Sequence, residues 1–147
     1  GLSYMNFITL MSFGMILVIL FLLLEKRLWK KEVELKKILS TKKGEKVQSY
    51  GEVKIADWLF EHNIEYEYDQ EREIASEFIR PDFYLPRENV VIEYWGIMTD
   101  PKYKRKREWK ENLYRIEGIT LISIETKDIA TENVDSILSS HLEKEGV

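Results

Sequence analysis

Cysteine is absent from this sequence of 147 residues. Its absence excludes a disulfide framework and a thiolate metal site, and leaves oxygen and imidazole as the ligands for any metal-assisted chemistry. Histidine is scarce as well: His62 and His141 stand isolated on helical patterns, and neither is assigned a catalytic role. Charge of one sign is not in excess. With a formal net charge of -4, contact with nucleic acid has to come from a local basic patch, because the global field repels a phosphate backbone. No internal repeat, low-complexity segment or long recognition loop is present. What the sequence does have is 44% hydrophobic and 12% aromatic residues, enough to fill a core in a chain whose length suits about one domain.

Charge is missing altogether from MNFITLMSFGMILVILFLLL, residues 5–24. At ~1.5 Å per residue this stretch spans about 30 Å as a helix, the thickness of a bilayer's hydrocarbon core. A cleaved leader would carry a basic segment before the apolar run and small residues after it, whereas EKRLWKK comes next here. The expectation is a single transmembrane helix that stays in the lipid bilayer. Residues 25–46 contain nine Lys or Arg against four Glu, so the positive-inside rule places the C-terminal body of the chain in the cytoplasm. Leu28, Val33, Leu35, Ile38 and Leu39 recur at loosely helical spacing, which reads as a basic amphipathic stalk over residues 25–47 with a linker at Ser40–Gly44. Such a stalk lies near anionic headgroups, at about 1 kcal/mol per basic residue close to the surface. This reading is preferred to specific DNA binding by the stalk, and self-association through the stalk, giving a homodimer, is a further one.

Residues 48–147 read as an α/β domain. GEVKIADWLFEHN places Val53, Ile55, Ala56, Leu59 and Phe60 on one helical face, with Asn63 as the stop. IEYEY, residues 64–68, alternates as a short strand, and DQEREIASE reads as a turn or irregular crossing. A second strand is expected over Phe78–Leu85 and a third from Val90, with LPREN as the turn between them. Asp100 and Pro101 then open a second helix as N-cap and first residue, running to about Ile116, and Gly118 ends it. TLISIE, residues 120–125, is the fourth strand, and a last helix covers Thr131 to about Glu143. The expected order is αβββαβα, with the three successive strands as a meander.

Two acids stand inside the most apolar of these strands, Asp82 in FIRPDFYLP and Glu93 in VVIEYWG. A buried carboxylate costs on the order of several kcal/mol unless it is protonated, paired or bound to a metal. A hairpin closed by residues 85–90 brings the two acids to one edge of the sheet. Converging carboxylates without a histidine suit a hard divalent cation such as Mg2+ or Mn2+. The alternative is ion pairing with Arg80 or with a lysine of the second helix.

RPDFYLP followed by VVIEYWG, together with SYGE at the start of the first helix and the K-to-Y pattern of the second, resembles the PD-(D/E)XK nuclease superfamily. The likeness is strongest to a branch found as stand-alone proteins and as terminal domains of some helicases and repair endonucleases, and it covers about residues 48–126. It implies a restriction-endonuclease-like αβββαβ core, a mixed central sheet flanked by helices, preceded here by the membrane helix. It also implies that Asp82 and Glu93 are metal ligands, with the backbone carbonyl of Tyr94 as a further ligand and Glu52 as an acid supporting the metal shell. Glu52 has a second reading, as an acid favoured by the helix N-terminus. The sequence departs from the family at Trp95, which stands where the motif's lysine belongs. On the second helix Tyr103, Lys106 or Arg107, Lys110 and Tyr114 share one face, and Lys110 matches the place from which related sequences supply that lysine; Lys106 is the reserve.

The implied function is metal-dependent hydrolysis of DNA by a membrane-anchored endonuclease, with RNA left open as a substrate. Asp82, Glu93, Glu52 and Lys110 would be its catalytic set. Lys102, Lys104, Arg105, Lys106 and Arg107 would grip flanking phosphates without reading sequence. Tyr94 and Trp95 would pack the site or stack on a splayed base. The alternative is a module that kept the fold without activity and binds nucleic acid or a protein partner at the membrane.

Overall fold

The computed structural model describes residues 3–97 and 99–143, without the side chains of residues 29–36. It divides into two compact units, Gly1–Ile38 and Leu39–Val147. The first is a single helix, α1 (Tyr4–Lys36). Its stretch Tyr4–Leu28 is long and apolar enough to cross a membrane, and none of that stretch is buried. The hydroxyl of Thr9 donates to the carbonyl of Met5 at 2.9 Å, so its polarity is satisfied inside the helix, as a lipid environment requires. The helix runs without a break into the basic segment. The apolar stripe expected at Val33 and Leu35 lies outside the described side chains.

The second unit contains, in chain order, β1 (Leu39–Ser40), β2 (Lys46–Val47), α2 (Tyr50–Glu61), β3 (Glu67–Tyr68), β4 (Arg72–Ile74), β5 (Glu77–Ile79), β6 (Phe83–Leu85), β7 (Val90–Trp95), α3 (Pro101–Glu117), β8 (Thr120–Glu125), α4 (Thr126–Ala130) and α5 (Val134–Leu142). It starts earlier than the sequence suggested. The expected linker is an antiparallel hairpin, β1–β2, turned at Gly44 with φ 103°. Val47 and Thr41 are buried, and the Lys42 N–H donates to Asp57 on α2 at 2.8 Å.

A four-stranded mixed sheet, in the order β3-β6-β7-β8, organises the rest. Its first two pairings are antiparallel and the last is parallel, with α3 as the crossover between β7 and β8. Alternation along β7 assigns its two faces. Val90 and Ile92 join Ile122 and Ile124 in a core with Ile55 and Leu59 of α2 and Leu138 of α5. Val91 packs instead with Leu113 and Tyr114 of α3 and with Ile74 and Ile79.

Three expectations need correction. The polar crossing at residues 69–77 contains most of a second hairpin, β4–β5, whose two turn residues Ala75 and Ser76 both have positive φ, 52° and 65°. A two-residue turn of that kind is usually marked by Asn or Gly, so the sequence carried no signal for it. The strand expected over Phe78–Leu85 is therefore two: β5 pairs with β4, β6 pairs with β3 and β7, and Pro81, which has no N–H for a ladder, lies between them. The meander survives as β3, β6 and β7 with the hairpin inserted. The helix expected over Thr131 to about Glu143 is α5, which begins at Val134, and a short helix that the sequence had not marked, α4, precedes it, with Glu132 at φ 57° between the two. By contrast, α3 begins and ends as the sequence indicated: the Asp100 carboxylate accepts the Lys102 N–H at 2.9 Å, Pro101 is the first helical residue, and Gly118 is left-handed with φ 74°.

Candidate functional site

The register of β6 against β7 pairs Phe83 with Ile92, so the next step places Asp82 beside Glu93. Both belong to the face of the sheet that α3 covers. Glu93 is 1% exposed, and the two carboxyl groups lie within hydrogen-bonding reach of each other. Burial pushes the Asp82 carboxyl well above the usual carboxylate range, and the adjacent Glu93 pushes it further. Lys110 and the hydrogen bond from Tyr94 act in the opposite direction without cancelling this.

Each acid has one oxygen held in place. Oδ2 of Asp82 accepts the backbone N–H of Tyr94 at 2.7 Å. Oε1 of Glu93 accepts from Lys110 Nζ at 2.9 Å and from the Tyr114 hydroxyl at 2.5 Å. The other oxygens, Asp82 Oδ1 and Glu93 Oε2, receive none of these hydrogen bonds. Lys110 is buried and also donates to the carbonyl of Arg80 at 3.0 Å. An ammonium has three N–H donors, so one remains for water or a substrate oxygen. The i, i+4 spacing of Lys110 and Tyr114 on α3 delivers both groups to the same carboxylate oxygen.

Of the two partners considered for the acids, Lys110 is present and Arg80 is absent. The Arg80 guanidinium is engaged by Asp69, with Nε and Nη2 donating to its carboxylate at 3.1 and 3.2 Å and Nη2 to its carbonyl at 2.7 Å. Tyr114 is a site residue that sequence reasoning noted on this helical face without giving it a task. Its spacing from Lys110 was the available signal.

Glu52 is buried, and it completes a capping arrangement at the start of α2. Its N–H donates to Ser49 Oγ at 3.2 Å, and its carboxylate accepts from the Ser49 hydroxyl at 2.8 Å and from the Tyr68 hydroxyl. Glu52 does stand in the first turn of α2, as its second reading had it, but it is buried there and tied to Ser49 and Tyr68. Burial, then Glu52, and then the charges of Asp69 and Asp82 push the Tyr68 phenol far above its usual range. Among the described residues no group of three or more His, Asp or Glu side chains is gathered to hold a metal. The acid pair thus stands without Glu52 as a third ligand.

Trp95 is 5% exposed, and its indole N–H donates to Ser123 Oγ at 3.1 Å. It packs the sheet and is not presented to a base. Tyr94 lies on the opposite face, with its ring against Gly51 of α2. Of the five basic residues expected on phosphates, Lys102, Lys104, Arg105 and Lys106 are exposed on the first turns of α3. Arg107 is engaged elsewhere: it pairs with Glu111 at 2.6 Å and Glu125 at 2.9 Å, and its guanidinium lies 4.9 Å from the Trp95 ring centre. Lys106 is exposed, so the lysine at the acid pair is Lys110 and not its reserve.

Comparison with known proteins adds one relative. An uncharacterized protein of Methanocaldococcus jannaschii is 35% identical over 98 residues, 65% of this chain but 8% of that protein. The chain therefore matches one small part of a much longer molecule. No family model matches the chain, and no solved structure does.

Proposed function

We propose that the second unit is a restriction-endonuclease-like domain that hydrolyses phosphodiester bonds of DNA with the help of Mg2+ or Mn2+. In this reading α1 anchors it in a membrane with the domain on the cytoplasmic side, where the basic residues after the apolar stretch would hold it. The observation that carries the proposal is Lys110. A lysine brought from α3 lies 2.9 Å from Glu93, in a chain whose motif has Trp95 at the lysine position. Two acids on adjacent strands and a lysine from the crossover helix are the groups that metal-assisted phosphodiester hydrolysis needs in one place. The strand order, two antiparallel pairings followed by a parallel one, is also compatible with the αβββαβ core.

The donor set fits such a cation. Asp82 and Glu93 are hard oxygen donors side by side on adjacent strands, each with one oxygen left open by the donors around it, and Mg2+ commonly takes one or two protein carboxylates while retaining waters. These two residues would hold the ion, which when bound lowers the pKa of water and neutralises phosphate charge. Lys110 orients the attacking water, or stabilises charge as it develops, through its remaining N–H. Lys102, Lys104, Arg105 and Lys106 attract the flanking backbone in a salt-sensitive and sequence-independent way.

Trp95 is the specific observation behind a second reading, in which the domain binds nucleic acid or a partner protein without cutting. Cleavage separates the two. The full chain in detergent micelles should nick or linearise supercoiled plasmid with Mg2+ or Mn2+, and Asp82→Ala and Glu93→Ala should each lower the rate at least ~100-fold. Plasmid retarded in a gel but left intact by the wild-type chain would favour the second reading.

A further inference from the structure

We propose that Tyr114 is a positioning residue of the acid pair: with Lys110 it occupies Oε1 of Glu93, and so reserves Oε2 as the oxygen that a divalent cation takes. The inference rests on the metal-dependent reading of the same site, and its basis is the pattern of hydrogen bonds. Two donors from one helix converge on a single oxygen, at 2.9 Å from the ammonium and 2.5 Å from the phenol, and neither reaches the other oxygen. Tyr114 is fully buried, so no water competes for its hydroxyl. Against a carboxylate oxygen the phenol hydroxyl is the donor.

The arrangement restrains both groups that contact Glu93. A carboxylate held only by a lysine can rotate about its last bond, and the ammonium can move to bridge both oxygens. With the phenol already on Oε1, the ammonium has a crowded oxygen on one side and the Arg80 carbonyl on the other. It is kept off Oε2, and its third N–H keeps its direction. The Tyr94 N–H does the same for Asp82, by holding Oδ2 and leaving Oδ1. One oxygen on each acid is thereby left without a donor from these groups. Outer hydrogen bonds of this kind commonly change metal affinity or activity by about 10–100-fold when removed.

Tyr114→Phe removes the hydroxyl and keeps the ring that packs with Val91 and Leu113. The test is calorimetric titration of Mn2+ into the full chain in micelles, wild type beside Tyr114→Phe, with plasmid cleavage measured over a range of Mn2+ concentrations. The variant should bind Mn2+ about ten-fold more weakly. Its kcat should fall at low Mn2+ and recover at high Mn2+, with the KM for plasmid unchanged. Tyr103→Phe, at an exposed position in the first turn of α3, should match wild type. Equal Mn2+ affinity in wild type and Tyr114→Phe would overturn the positioning role alone. A wild-type chain that takes up no Mn2+ would overturn the metal-dependent reading and this inference with it.

Discussion

Asp82 works against the stability of the fold that holds it. Its folded-state pKa is raised by burial beside Glu93, so its contribution to stability is fully present below the unfolded value of about 3.9 and is lost as pH rises through the folded value. Asp82→Asn keeps the shape and an oxygen for the Tyr94 N–H, and removes the titration. In metal-free buffer its melting temperature should match wild type near pH 4 and exceed it by several degrees at pH 8, the shift that about 1 kcal/mol gives a domain of this size. A gap that does not change with pH would contradict the raised pKa of Asp82. The same substitution should abolish cleavage, so the stabilised variant is the inactive one. Asp82 and Glu93 were legible in the sequence because charge inside an apolar strand needs a reason. Lys110 was legible from its place on the second helix. The tasks of Tyr68, Arg107 and Tyr114 were not, because they depend on which partner each side chain meets across the fold.

Gly51 shows what the elements require of each other. In the first turn of a helix an alanine would ordinarily be better by roughly 0.5–1 kcal/mol. Here an added Cβ would meet Tyr94 Cζ at 2.5 Å, so any larger residue at this point forces the Tyr94 ring to shift between α2 and β7. Gly51→Ala should therefore destabilise the domain by about 1–3 kcal/mol in chemical denaturation. In a Tyr94→Ala background it should become neutral or stabilising. Additive effects of the two substitutions would show that the contact is not what selects glycine. Helix α3 could be read nearly to the residue because Asp100, Pro101 and Gly118 act locally through backbone geometry. The β4–β5 hairpin could not, because Ala75 and Ser76 adopt positive φ without being residues that prefer it. Strand β3 was placed in the right stretch but drawn too long, since only Glu67 and Tyr68 find a partner on β6.

For the whole molecule, the β1–β2 hairpin decides where the α/β unit begins. A fragment starting at Gln48 would lose Val47, a side chain whose full burial is worth roughly 1.5–3 kcal/mol, together with the Lys42–Asp57 hydrogen bond. A fragment starting at Leu39 should unfold cooperatively at a higher denaturant midpoint than one starting at Gln48; equal midpoints would show the hairpin to be dispensable. The division between apolar helix and α/β unit was visible in the composition. The hairpin was hidden because Ser40–Gly44, polar and ending in glycine, has the composition of a linker.

The proposal that this domain cuts phosphodiesters depends most on the lysine that reaches Glu93 from α3. The most direct measurement is plasmid cleavage in Mg2+ by the full chain, comparing wild type, Lys110→Ala and Lys106→Ala. Lys110→Ala should lose at least ~100-fold in kcat, the scale of removing a group that stabilises developing charge, while Lys106→Ala should change only the salt dependence. Unchanged turnover in Lys110→Ala would contradict the account.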